Sequence, residues 1–431
     1  MTTFARIALF LILLLVTTAS FASLSATEKK MVQSIKMERN AQLSLLEKLV
    51  NINSGTMNVA GVHQVGEILR REFIQLGFNT EWHSLPFNMK RGGTLIATRS
   101  GHKGKRLLLI GHLDTVFPLN SPFKQAIRRK NTLTGPGVID DKGGDVVILY
   151  ALKALKKAGA LNDVSITVVL TGDEENSGKP TAISRKPLLD AAARHDIALD
   201  FESGIAHTAT IARRGVSHWE LKTTGKEAHS SQIFLQQSGD GAIYEITRIL
   251  HSIRTQFSSE KYFSFNPAWI VGGTNIHADK NKSSATVSGE KNVIAKTAMA
   301  TGDMRFLTPA QKIRAEKKLA AIVKQHLPGT SASMTFQEGI PSMPPTARNL
   351  VLLREYSELS EALGYGKIKP LQPGLRGAGD ISYAASLVKA SLAGLGPFGE
   401  GGHSIKETLE IPSLSMQTER AAILIYRLTR G

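Results

Sequence analysis

The chain of 431 residues contains no cysteine, which excludes a disulfide framework, a thiolate metal site and a cysteine nucleophile. Aromatic residues make up only 6%, and no lysine/arginine stripe is interleaved with them. A nucleic-acid surface that stacks bases on aromatic rings therefore has little to be built from. Low-complexity tracts and repeats of solenoid period are also missing, so neither wholesale disorder nor a repeat architecture is expected.

The chain is rich in apolar residues, at 42%, and long enough for two domains with separate cores. The formal charge is +17, carried in short scattered pieces such as Lys103-Gly104-Lys105-Arg106 and Arg128-Arg129-Lys130. That pattern suits a solvated basic surface biased toward anionic ligands better than a nucleic-acid module. At the N-terminus Arg6 precedes the apolar run 7–16 and the small-x-small site Ser20-Phe21-Ala22. This order is that of a secretory signal, with cleavage expected near Ala22 and a periplasmic or secreted product. The apolar run is short for a membrane span, although an uncleaved anchor is the alternative. With any thiolate excluded, a metal in the mature chain must be held by histidine and carboxylates.

Such residues recur at one kind of place. The β-prone run 107–110 delivers His112 and Asp114, whose alternation puts both on one side. Gly135-Pro136-Gly137 turns the chain into Asp140, and Gly143-Gly144 opens a helix expected to run through Lys156. The β-branched run 165–170 ends in Asp173-Glu174-Glu175, and 196–201 ends at Glu202. In open α/β sheets ligands gather outside the carboxyl ends of the strands. His403, in Gly401-Gly402-His403-Ser404, supplies a second imidazole. Two imidazoles and three carboxylates have the number and type for two zinc ions sharing one bridging carboxylate. Alone, an acidic pair after a strand is better read as a helix N-terminal charge cluster; the other ligand types reverse that balance. Asp200 lies two residues before Glu202, shares its face by alternation, and stays open as the ligand.

In this order, Gly111-His112-Leu113-Asp114, Gly135 through Gly144, Thr171-Gly172-Asp173-Glu174-Glu175 and Gly402-His403-Ser404 resemble the di-zinc exopeptidases. That family includes glutamate carboxypeptidase, aminoacylase, acetylornithine deacetylase and succinyl-diaminopimelate desuccinylase. The similarity covers nearly all of the mature chain and is greatest to the bacterial glutamate carboxypeptidases. It implies that Asp140 bridges the two Zn2+ of each subunit, with a cis peptide bond to Asp141. It also implies that His112 and Glu202 complete one zinc and Glu175 and His403 the other. Glu174 would be the general base, and Asp114 would orient His112. His229 would come from the partner subunit of a homodimer to stabilise the oxyanion. Arg305 and Asn292 would hold the substrate carboxylate. Two departures stand out: Ser203 replaces a proline, and Arg376-Gly377-Ala378-Gly379-Asp380 replaces a Gly-Gly-Thr-Asp run.

The expected architecture is α/β, a mixed sheet sandwiched by helices, with an inserted α+β lid and dimerisation domain. Its boundaries are a signal at 1–22, catalytic segments at 23–212 and 328–431, and the lid at 213–327. The expected activity is release of a C-terminal glutamate or similar acidic residue from a small peptide or N-acyl amino acid. A deacylase or dipeptidase on the same centre is the near alternative, and a noncatalytic basic binding protein the distant one. No nucleic-acid partner is expected, and no membrane span once the signal is cleaved.

Overall fold

The computed structural model describes residues 23–279 and 284–430; the expected signal at 1–22 lies outside them. Among the described residues no helix is long and apolar enough to cross a membrane. The chain forms a mixed α/β fold built on a six-stranded sheet. Its strand order is Asn79–His83, Thr94–Arg99, Val164–Thr171, Lys103–His112, Ile197–Asp200, Ala390–Leu392. The first two strands run antiparallel to their neighbours and the other four are mutually parallel.

Four parallel strands buried on both faces require apolar residues on both sides. Leu107 and Leu109 enter the larger core on one face, while Leu108 and Ile110 enter the smaller core on the other with Leu188 and Ala191. The helix Lys142–Lys157 buries every residue from Val146 to Leu152. It lies between the strand Lys103–His112 and the helices Ala26–Met37, Arg39–Val50 and Ile411–Thr429. A helix apolar all round is stable only when enclosed in this way.

The parallel strands end together, at His112, Thr171, Asp200 and Leu392, so residues far apart in sequence emerge along one edge. Here the fold positions the site.

The lid begins with the strand Gly215–Thr224. Its four-stranded antiparallel sheet has the order Ser264–Gly273, Thr297–Phe306, Gly215–Thr224, Ser331–Glu338. The helices Gly241–Phe257 and Pro309–Val323 pack on one face around Trp219, Leu221, Ile246 and Leu319. The last strand lies beyond residue 327, where the sequence suggested that the lid ended. Ser331–Glu338 pairs with Gly215–Thr224 along its whole length, so this sheet extends to Glu338.

Candidate metal centre

Asp140 stands at the middle of the site. Its Oδ1 lies 3.0 Å from His112 Nε2 and its Oδ2 lies 3.0 Å from His403 Nε2. His403 Nε2 also lies 3.2 Å from Glu175 Oε2. One ligand atom each from His112, Asp140 and Glu175 falls within 4.8 Å of the other two. One carboxylate between two imidazoles is the arrangement a bridging ligand requires.

Several devices hold these groups. His112 is the last residue of its strand, and its Nδ1 lies 3.1 Å from the Asp114 carbonyl oxygen and 3.4 Å from the Asp114 carboxylate. The carboxylate of Asp114 is engaged more closely elsewhere. It accepts from Thr56 Oγ1 at 2.6 Å, from Glu174 N at 3.0 Å and from Glu175 N at 3.2 Å. Asp114 thus ties the histidine strand to the turn carrying Glu174 and Glu175. The peptide bond between Asp140 and Asp141 is cis, as the resemblance implies. His403 has φ 63 and follows Gly401 at φ 73. This left-handed turn is uncommon for a residue with a side chain, and such conformations concentrate at functional sites.

Three further residues brace the centre, and the sequence offered no sign of their role. Glu407 accepts from the backbone N–H groups of Gly137, Ile139 and Asp140 at 3.0, 3.0 and 3.2 Å, fixing the turn that presents Asp140. Burial pushes its carboxyl up to about 7. Arg185 is 1% exposed and donates to Asp173 Oδ1 and Asp380 Oδ1, both at 2.7 Å. It clamps the Glu174–Glu175 turn to the returning segment. Arg213 donates to Glu202 Oε2 at 2.7 Å and sits 3.4 Å from Asp200 Oδ2. Asp200 and Glu202 therefore share one guanidinium, as their alternation predicted. Glu202 faces Arg213 and stands outside the 4.8 Å group.

The donor set fits divalent cations. Glu175 Oε1 is buried and has no hydrogen-bond partner among the described residues, an arrangement that is costly unless something else meets it. Two ligands at zinc bond lengths and a tetrahedral angle lie about 3.4 Å apart, close to the imidazole–carboxylate separations here. The charge balance points the same way. Contacts with Asp140 and Glu175 push His403 up to about 11. At His112 burial opposes the charge, and Asp114 and Asp140 outweigh it and raise the group well above its ordinary value. A cluster that draws protons onto its imidazoles is short of positive charge, which a metal would supply. Glu174 is partly accessible, and among the described residues no hydrogen bond holds its carboxylate. Burial, reinforced by Glu202, Asp380 and Glu175, raises it well above the usual carboxylate range.

The lid residues are not gathered into this centre. His229 is exposed, with Nδ1 2.8 Å from Ser231 Oγ. Asn292 lies beside it, accepting at its carbonyl from Ser230 N at 2.7 Å. Arg305 donates from Nε to Asp303 Oδ2 at 2.6 Å. It lines a cavity of about 750 Å³ between the open face of the lid sheet and Lys179. Among the described residues none of the three hydrogen-bonds to the six residues at the centre.

The site and sheet define a metal-dependent hydrolase of the α/β class. Residues 108–427 match the model of Peptidase family M20/M25/M40, and the chain belongs to this family. It is 28% identical to Carboxypeptidase G2 of Pseudomonas sp. (strain RS-16) over 426 residues, which cover 96% of each chain. Among solved structures, aminopeptidase PepT of Bacillus cereus aligns with a TM-score of 0.70 at 17% identity. That alignment covers 90% of this chain and 98% of PepT. The YXEP protein of Bacillus subtilis, a dinuclear metal-binding peptidase of the M20 family, aligns with a TM-score of 0.61 at 14% identity. There the coverage is 91% of this chain and 99% of YXEP. The fold class and the metal-dependent hydrolase expected from the sequence agree with these likenesses.

Proposed function

We propose that this chain is a di-zinc exopeptidase that releases a C-terminal glutamate or similar acidic residue from a small peptide or N-acyl amino acid. The observation that carries the reading is Asp140 between two imidazoles, with the unheld carboxylate of Glu174 beside it. His112 and Glu202 would hold one Zn2+, Glu175 and His403 the other, and Asp140 would bridge them. When bound, such ions polarise a carbonyl oxygen and lower the pKa of water. Glu174 then takes the proton from water as its oxygen adds to the amide carbon. It returns that proton to the amine nitrogen as the C–N bond breaks. The raised proton affinity of Glu174 suits this double duty.

The acidic preference is supported by the likeness to Carboxypeptidase G2 and by the basic surface of the chain. Arg305 and Asn292 would receive the carboxylate of the leaving residue, a task that suits a guanidinium fork. His229 lies exposed on the lid and would reach the partner subunit's centre to stabilise the oxyanion. A homodimer is favoured by the lid's edge strand Ser264–Gly273, where exposed Ile270 borders an apolar groove with Leu250, Phe257 and Phe263. Export to the periplasm or beyond rests on the first 22 residues. The test is hydrolysis of N-benzoyl-glutamate, a folate, N-acetyl amino acids and dipeptides by zinc-loaded protein. Release of glutamate, falling about 10²- to 10⁴-fold in Glu174→Ala, is expected. Turnover of neutral acyl amino acids alone would discard the acidic preference.

A further inference from the structure

Arg376 lies in the stretch where the sequence departs from its family, and its guanidinium comes to rest beside Glu202. Its Nη1 is 3.4 Å from Ser203 Oγ, a long contact. Its Nη2 is buried and has no hydrogen-bond partner among the described residues. Gly394, at φ 75, borders it, and a Cβ built there would lie 3.4 Å from Nη2, an ordinary contact.

The other two arginines at the centre are fully engaged. Arg185 spends its nitrogens on Asp173, Asp380 and Ser177. Arg213 spends Nε on the Gly377 carbonyl, Nη2 on the Ala378 carbonyl and Nη1 on Glu202. Arg213 thus takes the Glu202 carboxylate, and among the described residues Arg376 keeps one buried donor without an acceptor.

An unpaired buried guanidinium nitrogen is unfavourable, and a carboxylate is the partner whose geometry matches it. Burial opposes its charge most and Arg213 adds to that, while the carboxylates of Glu202, Asp200 and Asp140 favour it without making up the difference. Cations held by Asp140 and Glu202 would consume that compensation and leave Arg376 in greater need of an anion. The position is also open to the outside along one side: neighbouring Leu375 is 65% exposed, and Gly377 has no atom near its missing side chain. Arg305 is on the lid, paired with Asp303, so the two arginines mark separate points.

We infer that Arg376 is a specificity-determining residue that receives a second carboxylate of the substrate, next to Glu202. The inference rests on the hydrolase reading above. The carboxylate can belong to the leaving residue or to the acyl group, and two substrate pairs separate these sources. N-benzoyl-glutamate against N-benzoyl-glutamine tests the leaving side. N-succinyl-leucine against its succinamoyl counterpart tests the acyl side.

In the wild type, kcat/KM should favour the acid member of one pair by about tenfold or more. Arg376→Met should remove that preference, lowering kcat/KM for the acid about 10- to 100-fold mainly through KM. The amide member should change little, and Arg376→Lys should restore part of the ratio. A ratio unchanged in Arg376→Met, or equal losses for acid and amide, would overturn the assignment, as would a wild type that prefers neither acid. Loss of metal or of folding lowers both members alike and does not mimic the expected result. Calorimetric titration of the Glu174→Gln protein, with and without Arg376→Met, reads the same ratios as affinities. A chain that hydrolyses nothing yet loses its preference for the acid ligand in the double variant fails as a hydrolase while keeping the Arg376 assignment. A chain that hydrolyses well with an unaltered ratio does the reverse.

Discussion

The metal centre and the lid are two halves of one candidate site, and they are built on different terms. At the centre buried charged groups tie separate elements of the same chain together. Arg185 joins Asp173 to Asp380, Arg213 holds Glu202, and Glu407 cradles the turn of Asp140. On the lid Arg305 pairs with Asp303 on its own strand, and His229 turns its ring to Ser231 two residues away. The first half is complete within one chain and locked by buried ion pairs. The second is satisfied by neighbours close in sequence and lies nearer the surface. Ligands that must hold metal at a fixed geometry need the first kind of construction. Groups that must meet a substrate, and leave again, need the second.

Arg185→Met is the severest way to try this contrast. It strands Asp173 and Asp380 as buried, uncompensated carboxylates, and such losses cost about 3–5 kcal/mol. Denaturant unfolding of the metal-free protein should show that fall. Activity should drop further than stability alone explains, because the Glu174–Glu175 turn loses its clamp. A loss below about 1 kcal/mol, the range of surface pairs, would erase the distinction between the halves.

A milder test uses pH. The Asp140 and Glu175 contacts push His403 up to about 11, and His112 is also raised, by Asp114 and Asp140 against the effect of burial. In the metal-free chain His403 therefore holds its proton at neutral pH, and His112 is drawn in the same direction. That protonation adds stability which is fully present below about 6.5, the ordinary histidine value, and is lost as pH rises toward 11. Metal binding has the opposite sign. A cation must displace those protons, so its apparent affinity falls about tenfold per pH unit for each proton displaced on acidification. The gap in Tm between zinc-loaded and chelator-treated protein should widen from pH 6 to pH 8. A gap independent of pH would mean that the metal displaces no protons from the imidazoles, and the centre would lose its claim to be a binding site.

The same division explains what the sequence disclosed. His112, Asp140, Glu174 and Glu175 were legible because each follows a strand or a glycine turn, and the parallel sheet aligns those ends. The helix Lys142–Lys157 announced itself through Gly143-Gly144 and an unbroken apolar run. Arg185 and Glu407 gave no sign of their role, since the contacts that join them to distant segments, Arg185 to Asp380 and Glu407 to Gly137, span 195 and 270 residues and no local pattern encodes such a contact. The helix Ile411–Thr429 buries residues on nearly every side, so it has no polar stripe to mark its period. The strand Ser331–Glu338 was within reach: Ala332, Met334 and Phe336 alternate and pack on the lid core. Ending the lid at 327 passed over that signal. For Arg376 the departure from the family run marked the place, but only the geometry revealed the unfilled donor.

The finest test of the contrast is Arg305→Met. The Arg305–Asp303 side chains are 36% and 23% exposed, and Asp303 keeps a second partner in Asn266, whose Nδ2 donates to it at 3.1 Å. Removing the guanidinium leaves no orphaned buried charge, so unfolding stability should fall by less than about 1 kcal/mol. If Arg305 receives the substrate carboxylate, KM for N-benzoyl-glutamate should nevertheless rise about tenfold or more, the loss of one charge-assisted bond. The two readouts pull apart only because the lid group is held loosely enough to serve a ligand. A stability loss above about 2 kcal/mol would show that the lid charges are braced as tightly as those of the centre. An unchanged KM would leave Arg305 as an ordinary strand pair and move the whole burden of substrate recognition to the catalytic half.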